Sequence, residues 1–160
     1  MNIFTVSKFR YPKYIEDTFI NYTFYYENEN IYKNYFSNNI VDNISYEIFS
    51  KIKDGYIKKV CFVLYVLYFT GGFFIDTKVI PSKDIPSYEI TSNKFYCVKS
   101  IICDDDLFLG ILGSSKENNF LLNLINAIIE LDNMTSNITS KNIYQLIQRL
   151  DNNKNNIIYF

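Results

Sequence analysis

Residues 60–76, VCFVLYVLYFTGGFFID, form the stretch that decides the fold of this chain. The first ten residues of the stretch are apolar or aromatic, which predicts a helix that is buried on every side. Gly71 and Gly72 end this helix, and the next three residues predict a short buried strand. Asp76 then places a carboxylate at the end of that strand. The pattern therefore predicts a helix–turn–strand unit in the interior of an α/β domain.

The rest of the chain predicts strands and helices in alternation. Strands are expected at residues 2–6, 22–26, 94–103, 107–112 and 156–160, with a proline-containing loop at 78–88. Helices are expected at residues 12–20, near 28–36, along Ile40, Ile44, Ile48 and Ile52, at 56–69, from Ser114 or Ser115 through 120–129, and after an N-cap at Ser140. Because no repeat or linker is visible, the prediction is one α/β domain, residues 1–160, with a mixed central sheet flanked by helices.

The composition allows a packed core and limits the classes of function. Of the 160 residues, 48% are hydrophobic and 18% aromatic, which favours an ordered globule over a disordered chain. The net charge is −1, so a basic surface field is not expected and no nucleic-acid partner is predicted. The chain has no histidine, which excludes histidine-based acid–base catalysis and zinc sites that need histidine ligands.

The cysteines and the apolar segments bear on the expected compartment. Cys61, Cys97 and Cys103 are an odd number without paired spacing, which argues against a disulfide framework and for a reducing environment. The amino-terminal residues lack the layout of a signal peptide. The apolar run is shorter than the roughly 20 residues that a membrane span needs. We therefore expect a cytoplasmic protein without a transmembrane segment.

Residues 57–79, IKKVCFVLYVLYFTGGFFIDTKV, resemble the central motif of the Asp-x-Asp sugar-transferase family. That family includes fungal initiating mannosyltransferases, capsular-polysaccharide transferases and, more remotely, glucosylating clostridial toxins. Residues 107–115, LFLGILGSS, and the helix from Phe120 resemble the family's next strand and helix, so the resemblance covers about residues 2–147. It implies a single GT-A, Rossmann-like domain. Such a domain binds a nucleotide sugar at the carboxyl ends of its strands, with Mn²⁺ or Mg²⁺ bridging the diphosphate.

The chain departs from the family motif, roughly S-D-x-x-R-Y-x-x-L-Y-x-Y-G-G-x-Y-x-D-x-D, at the positions that carry the chemistry. The first aspartate of the motif matches Val60, its arginine matches Val63, and its last carboxylate matches Lys78. A lysine beside the metal position would repel the cation, and one carboxylate ligand is missing. The resemblance thus implies an inherited architecture with a degenerate metal and nucleotide-sugar site, and no residue is assigned a catalytic role.

Four residues are candidate nucleotide-sugar contacts if that binding is retained: Gly71, Gly72, Asp76 and Lys78. Asp76 is also the candidate metal ligand, and its alternative role is a strand-end carboxylate that caps the following loop. Lys78 could meet a diphosphate directly, as basic residues do in metal-independent sugar transferases, or it could lie exposed in the loop. No cofactor is expected in the degenerate site, and Mn²⁺ or Mg²⁺ is expected only if transfer activity survives.

Three other clusters have both a functional and a structural interpretation. Asp104-Asp105-Asp106 could be a displaced metal site, but a solvated turn between strands is favoured because adjacent side chains diverge. The pair Lys58-Lys59 is interpreted as the solvated start of the buried helix. The aromatic residues of segment 22–36 could stack on a base or a sugar, but positions in the core are favoured.

The sequence leaves three functional hypotheses. The first is a glycosyltransferase-like protein that has lost metal-dependent catalysis and acts as a structural, regulatory or assembly subunit, with a protein partner or a second copy of itself. The second is an active glycosyltransferase with an altered, metal-independent site in which Asp76 and Lys78 contact the nucleotide sugar. The third is an unrelated small α/β binding protein whose Gly-Gly-x-x-x-Asp match is accidental.

Overall fold

A computed structural model describes residues 2–8, 10, 13, 22–41, 43–76, 78–79, 90–135, 137–151 and 157–159 of the chain. Within them, the fold is α/β, with one six-stranded mixed sheet and five helices. The strands are β1 Ile3–Ser7, β2 Tyr22–Tyr26, β3 Gly72–Ile75, β4 Phe95–Lys99, β5 Leu107–Ser114 and β6 Ile157–Tyr159. The helices are α1 Glu29–Asn38, α2 Tyr46–Ser50, α3 Gly55–Thr70, α4 Asn119–Met134 and α5 Ser140–Leu150. The predicted fold class is therefore confirmed.

The strand order of the sheet is β2-β1-β3-β5-β4-β6. Strand β1 pairs in parallel with both β2 and β3, whereas β5 runs antiparallel to its neighbours β3 and β4. The chain thus adds β2 on one side of β1 and later adds β3 on the other side. In open α/β sheets, ligands bind where the strand order reverses in this way, outside the carboxyl ends of the strands.

Helix α3 is the buried helix that the opening stretch predicts. Asp54 caps it, because its carboxylate accepts hydrogen bonds from the backbone N–H groups of Tyr56, at 2.7 Å, and Ile57, at 3.1 Å. Every residue from Val60 to Leu67 is buried. The helix ends where the N–H of Gly71 donates to the carbonyl of Leu67. Neighbours on every side, rather than an amphipathic pattern, therefore hold α3 in place.

The Gly-Gly turn between α3 and β3 requires glycine for two reasons. Gly71 has φ 61° and ψ −174°, a conformation that is essentially restricted to glycine. Gly72 has φ 100°, and a Cβ atom placed on it would lie 2.1 Å from the carbonyl oxygen of Asn2. The N–H of Phe73 donates to that same oxygen at 2.9 Å. The turn therefore brings β3 directly against the start of β1.

The main hydrophobic core joins one face of the sheet to the five described helices. Phe4, Phe74 and Leu112 are aligned across adjacent strands and lie in this core. The helices contribute buried side chains that include Tyr32, Phe36, Phe49, Ile57, Phe62, Leu121, Leu124, Ile128, Ile143 and Ile147. Burial of this much apolar surface is the main favourable term in folding.

The aromatic residues of α1 belong to this core. The ring of Phe36 stacks on that of Tyr65 with centroids 4.1 Å apart, and Tyr32 meets Phe62 edge to face at 4.8 Å. Both α1 rings are buried. The core interpretation of the aromatic segment is therefore confirmed for these two residues.

The helix predicted along the four isoleucines from Ile40 to Ile52 is wrong. Among the described residues of this segment only α2, Tyr46–Ser50, is helical, and Ile40 is 81% exposed. Asn43 adopts a left-handed φ of 71°, which interrupts a right-handed helix. The side chain of Ser45 then accepts from the N–H of Ile48 and starts a new, shorter helix.

Two predicted helix N-caps also lie at other residues, one to four positions away. Ser114 belongs to β5, and α4 begins after an N-cap at Asn118. Thr139, rather than Ser140, caps α5 and forms a capping box with Asn142. Most of the predicted helix at 12–20 and most of the predicted loop at 78–88 lie outside the described residues. No helix in the described part of the chain combines the length and the apolar character that crossing a bilayer would require.

Candidate functional site

A cleft of about 280 Å³ lies at the carboxyl ends of the three parallel strands β1, β2 and β3. Asp76 follows β3 directly, and its N–H donates to the carbonyl of Gly110 at 2.7 Å. Glu27 follows β2, and its N–H donates to the carbonyl of Ser7 at 2.7 Å. The cleft is lined by Ser7, Lys8, Glu27, Gly55, Tyr56, Lys59, Asp76 and Lys78. Its position is the one where the strand order predicts ligand binding.

The carboxylate of Asp76 is held on both of its oxygens. The ammonium of Lys59 donates to Oδ2 at 2.8 Å, and the backbone N–H of Lys78 donates to Oδ1 at 3.0 Å. Burial raises the pKa of Asp76, but the hydrogen bonds from Lys59 and Lys78 and their charges more than offset it. The pKa of Asp76 is therefore held below its usual value. The residue that sequence analysis places at the metal position is thus already paired inside the chain.

Lys59 lies between two carboxylates. Its Nζ atom is 2.8 Å from Oδ2 of Asp76 and 3.9 Å from Oε1 of Glu27, and it lies over the ring of Phe74. Only 17% of the Lys59 side chain and 10% of the Glu27 side chain are exposed. The partly buried ammonium is thus balanced by two opposite charges, as a charge in this position must be.

The prediction that Lys58 and Lys59 form a solvated start of the buried helix is wrong. The two side chains are only 16% and 17% exposed. Lys58 also bonds to Glu29, at 3.1 Å, and it lies on the other side of the first turns of α3, over the ring of Phe49. Their long aliphatic parts pack on apolar surface while each ammonium reaches a carboxylate.

The two valines that match the polar motif positions are buried. Val60 and Val63 line a hollow of about 10 Å³ together with Phe74 and Leu112. A space of that size holds no more than about one water molecule. Val60 and Val63 therefore lie in a filled, apolar part of the site and do not line the open cleft.

The structure brings together two of the four predicted site residues and separates them from the other two. Asp76 and Lys78 both line the cleft, where Lys78 is exposed. Gly71 and Gly72 lie at the opposite, amino end of β3, against Lys116 and Asn2. Because each strand residue advances about 3.3 Å, Gly72 lies about 13 Å from Asp76 along the chain direction. The glycines shape the backbone and do not line this cleft.

The structure also bears on the metal sites considered from sequence. Among the described residues, no group of three or more acidic or cysteine side chains converges as a metal site. Asp104-Asp105-Asp106 lies in the turn between β4 and β5, where Asp106 accepts from the N–H of Leu107 and Asp105 reaches Lys141 at 3.8 Å. The turn interpretation of this triplet agrees with these contacts.

Sequence analysis missed Lys59 and Glu27 as members of the site. One signal could have found Lys59. The motif of the resembled family has serine at this position, so Lys59 is a further departure from the motif, beside those at Val60, Val63 and Lys78. No comparable signal marks Glu27, because its position depends on the pairing of β2 with β1. Compared with known protein families and with curated proteins, the chain matches no family model and no curated sequence.

Proposed function

We propose that this chain is a glycosyltransferase-like protein without metal-dependent sugar transfer, and that it acts as a structural, regulatory or assembly subunit. The observation that carries the proposal is the ion pair between Lys59 and Asp76, at 2.8 Å. A divalent cation bound to Asp76 would lie within a few ångströms of the Lys59 ammonium and would be repelled by it. Hard cations also need several oxygen ligands, and Lys78 stands where the motif has its second carboxylate.

The place of the cleft supports descent from a nucleotide-sugar site. It lies at the carboxyl ends of β1 and β3, where the strand order reverses. Asp76 lies at the end of β3 on the wall of that cleft, as the sequence motif implies. The polar side of the motif is replaced by the buried residues Val60 and Val63. These features together support an inherited architecture from which the metal chemistry has been removed.

The assembly role is supported by apolar side chains that the described residues leave in solvent. Ile101 and Ile102 are adjacent in the turn between β4 and β5, and both are almost fully exposed. Met134, at the end of α4, is also exposed. Adjacent exposed isoleucines are costly in water and suit a surface that another protein or a second copy covers.

A second candidate function is metal-independent binding or transfer of a nucleotide sugar in a cytoplasmic protein. The favouring observation is that two exposed lysines, Lys8 and Lys78, line the open cleft of about 280 Å³. Lysine ammonium groups can neutralise a diphosphate without a metal ion when they are fixed around it. Tyr56 lines the same cleft and offers an aromatic face to a base or a sugar ring.

The two candidates are separated by the thermal unfolding midpoint in the presence of UDP- and GDP-sugars, with Mn²⁺ or with EDTA. A ligand at 100 times its Kd that binds only the native state adds about 2.7 kcal/mol to the free energy of unfolding. The first proposal expects no Mn²⁺-dependent rise and no hydrolysis or transfer. Turnover that is abolished by Asp76→Ala would contradict it.

The second candidate expects a rise of the midpoint in EDTA that disappears in Lys78→Met. The matched control is Lys33→Met, since Lys33 is exposed on α1 and does not line the cleft. No rise of the unfolding midpoint at millimolar ligand would remove the second candidate.

Self-association is tested by light scattering after a sizing column. A monomer at high concentration would contradict self-association. A different protein partner would then be sought by capture experiments.

A further inference from the structure

We propose that Lys59 determines the ion specificity of the cleft: its ammonium takes the place of a divalent cation between Asp76 and Glu27 and thereby excludes metal ions. This inference rests on the proposed function, because it assigns the exclusion of metal ions from that cleft to Lys59, in addition to the carboxylate that is missing at Lys78. It goes beyond that function by placing Glu27 in the site and by giving Lys59 a role of its own.

The first argument is geometric. Carboxylate oxygens from two different strand ends lie within 4 Å of one nitrogen atom: Asp76 at 2.8 Å and Glu27 at 3.9 Å. Each carboxylate is carried by backbone that the sheet fixes independently of the lysine. The N–H of Glu27 donates to Ser7, and the N–H of Asp76 donates to Gly110. The backbone positions of the two acidic residues therefore do not depend on the lysine.

The second argument is electrostatic. With Lys59 in place, two carboxylates and one ammonium share a partly buried wall of the cleft, and the hydrogen bonds from Lys59 and Lys78 keep the pKa of Asp76 low in spite of its burial. Without Lys59, two like charges would face one point beside an open space of about 280 Å³. Such a point favours a cation from solution, with water completing its oxygen ligands.

The third argument concerns the difference between Lys59 and the other lysines of the cleft. Lys8 and Lys78 are exposed, whereas Lys59 is 17% exposed and paired on the wall. Neither of the two exposed ammonium groups forms a salt bridge with the residues that the structure describes, so an incoming anion can meet them there without breaking one. Lys59 thus acts on the acidic residues of the site, and it is a specificity-determining residue rather than a catalytic one.

The test is Mn²⁺ binding by Lys59→Met, measured by calorimetry and by electron paramagnetic resonance at neutral pH. Methionine keeps most of the volume and removes the charge. The matched control is Lys58→Met, because Lys58 is the adjacent lysine, is equally buried, and pairs with Glu29 away from the cleft. We expect Lys59→Met to bind one Mn²⁺ at least about tenfold more tightly than the wild type or the control. The double variant Lys59→Met, Asp76→Asn is expected to lose this gain.

Equal Mn²⁺ affinity of folded Lys59→Met and Lys58→Met would overturn the inference. If Lys59→Met does not fold, the wild type provides the test by NMR. Paramagnetic broadening of the Glu27 and Asp76 amide signals at submillimolar Mn²⁺ would overturn the inference, and no broadening would support it. Lys59→Arg keeps the charge and is expected to remain without metal affinity. Sugar transfer by the wild type in EDTA would contradict the proposed function but not this inference, so the two failures are distinguishable.

Discussion

Opposing influences act on the ionisation of Asp76. Burial raises the pKa of its carboxyl, whereas the hydrogen bonds and charges of Lys59 and Lys78 lower it, and the net pKa lies below its usual value. The carboxylate is consequently charged at neutral pH. A folded-state pKa below the unfolded value means that the unfolded chain binds more protons as the pH falls. The Asp76 interactions therefore contribute stability above the unfolded pKa and lose it as the pH falls through the folded pKa.

The variant Asp76→Asn tests this contribution. We expect the wild type to exceed Asp76→Asn by about 1 kcal/mol in the free energy of unfolding at pH 6, since a charged hydrogen bond and an ion pair are weakened. The difference should begin to shrink as the pH falls below the unfolded-chain pKa of aspartate, about 3.9, and should be lost below the lower folded-state pKa of Asp76. Urea unfolding at several pH values measures it. A difference that does not depend on pH would contradict the prediction.

A control for this prediction is Glu47→Gln. Glu47 pairs with Lys51 at 3.8 Å within α2, and its side chain is 83% exposed. Solvent screens such a pair, so its removal is expected to change the free energy of unfolding less than Asp76→Asn does. The comparison separates a held carboxylate at the cleft from an ordinary surface ion pair.

At the scale of elements, the Gly-Gly turn fixes β3 against β1. Gly71 and Gly72 both have positive φ angles, and the start of β3 is so close to Asn2 that no Cβ atom fits. The other end of β3 then delivers Asp76 to the cleft. The glycines therefore influence the site through the placement of the strand.

The variant Gly72→Ala is expected to lower the free energy of unfolding by about 2–4 kcal/mol, because it combines a strained φ with a clash against the Asn2 carbonyl. Gly55→Ala is the matched control. Gly55 begins α3, and no atom lies within 4 Å of a Cβ placed there. Alanine at that position should be neutral or stabilising by up to about 1 kcal/mol. Equal effects of the two substitutions in urea unfolding would contradict this account.

At the scale of the whole molecule, the reactivity of the cysteine thiols measures the opening of the core. All three are free, with Cys61 and Cys97 buried and Cys103 exposed. Cys61 lies in α3 and Cys97 in β4, so both belong to the main core. Burial raises the pKa of both thiols, that of Cys97 to about 12. Because the thiolate is the reactive form, the two buried residues should be inert until the core unfolds.

Thiol labelling of the native protein tests this expectation. One thiol per chain should react rapidly and three should react in denaturant, and Cys103→Ser should remove the rapid reaction. The two slow thiols should react together if the core opens as one cooperative unit. A second rapid thiol in the native protein would contradict the burial of Cys61 and Cys97.

Local patterns predicted the parts of the fold that local physics controls. The uninterrupted apolar run predicted the buried helix α3, and the following glycines predicted its end and the start of β3. The isoleucine repeat from Ile40 predicted one continuous helix, and this prediction was wrong. The left-handed backbone of Asn43 interrupts the segment, and the N-cap at Ser45 starts a shorter helix. Periodicity states which face would be buried if a helix formed, whereas capping and turn geometry decide whether it forms.

The sequence by itself determined the α/β class, the buried helix, the Gly-Gly turn and the carboxylate at the end of β3, because each of these depends on residues that are near one another in the chain. Only the tertiary structure decided what that carboxylate meets. Lys59 reaches Asp76 because α3 packs beside β3, and Glu27 joins them because β2 and β3 both pair in parallel with β1. Strand order brings these distant residues together, and no local pattern encodes it.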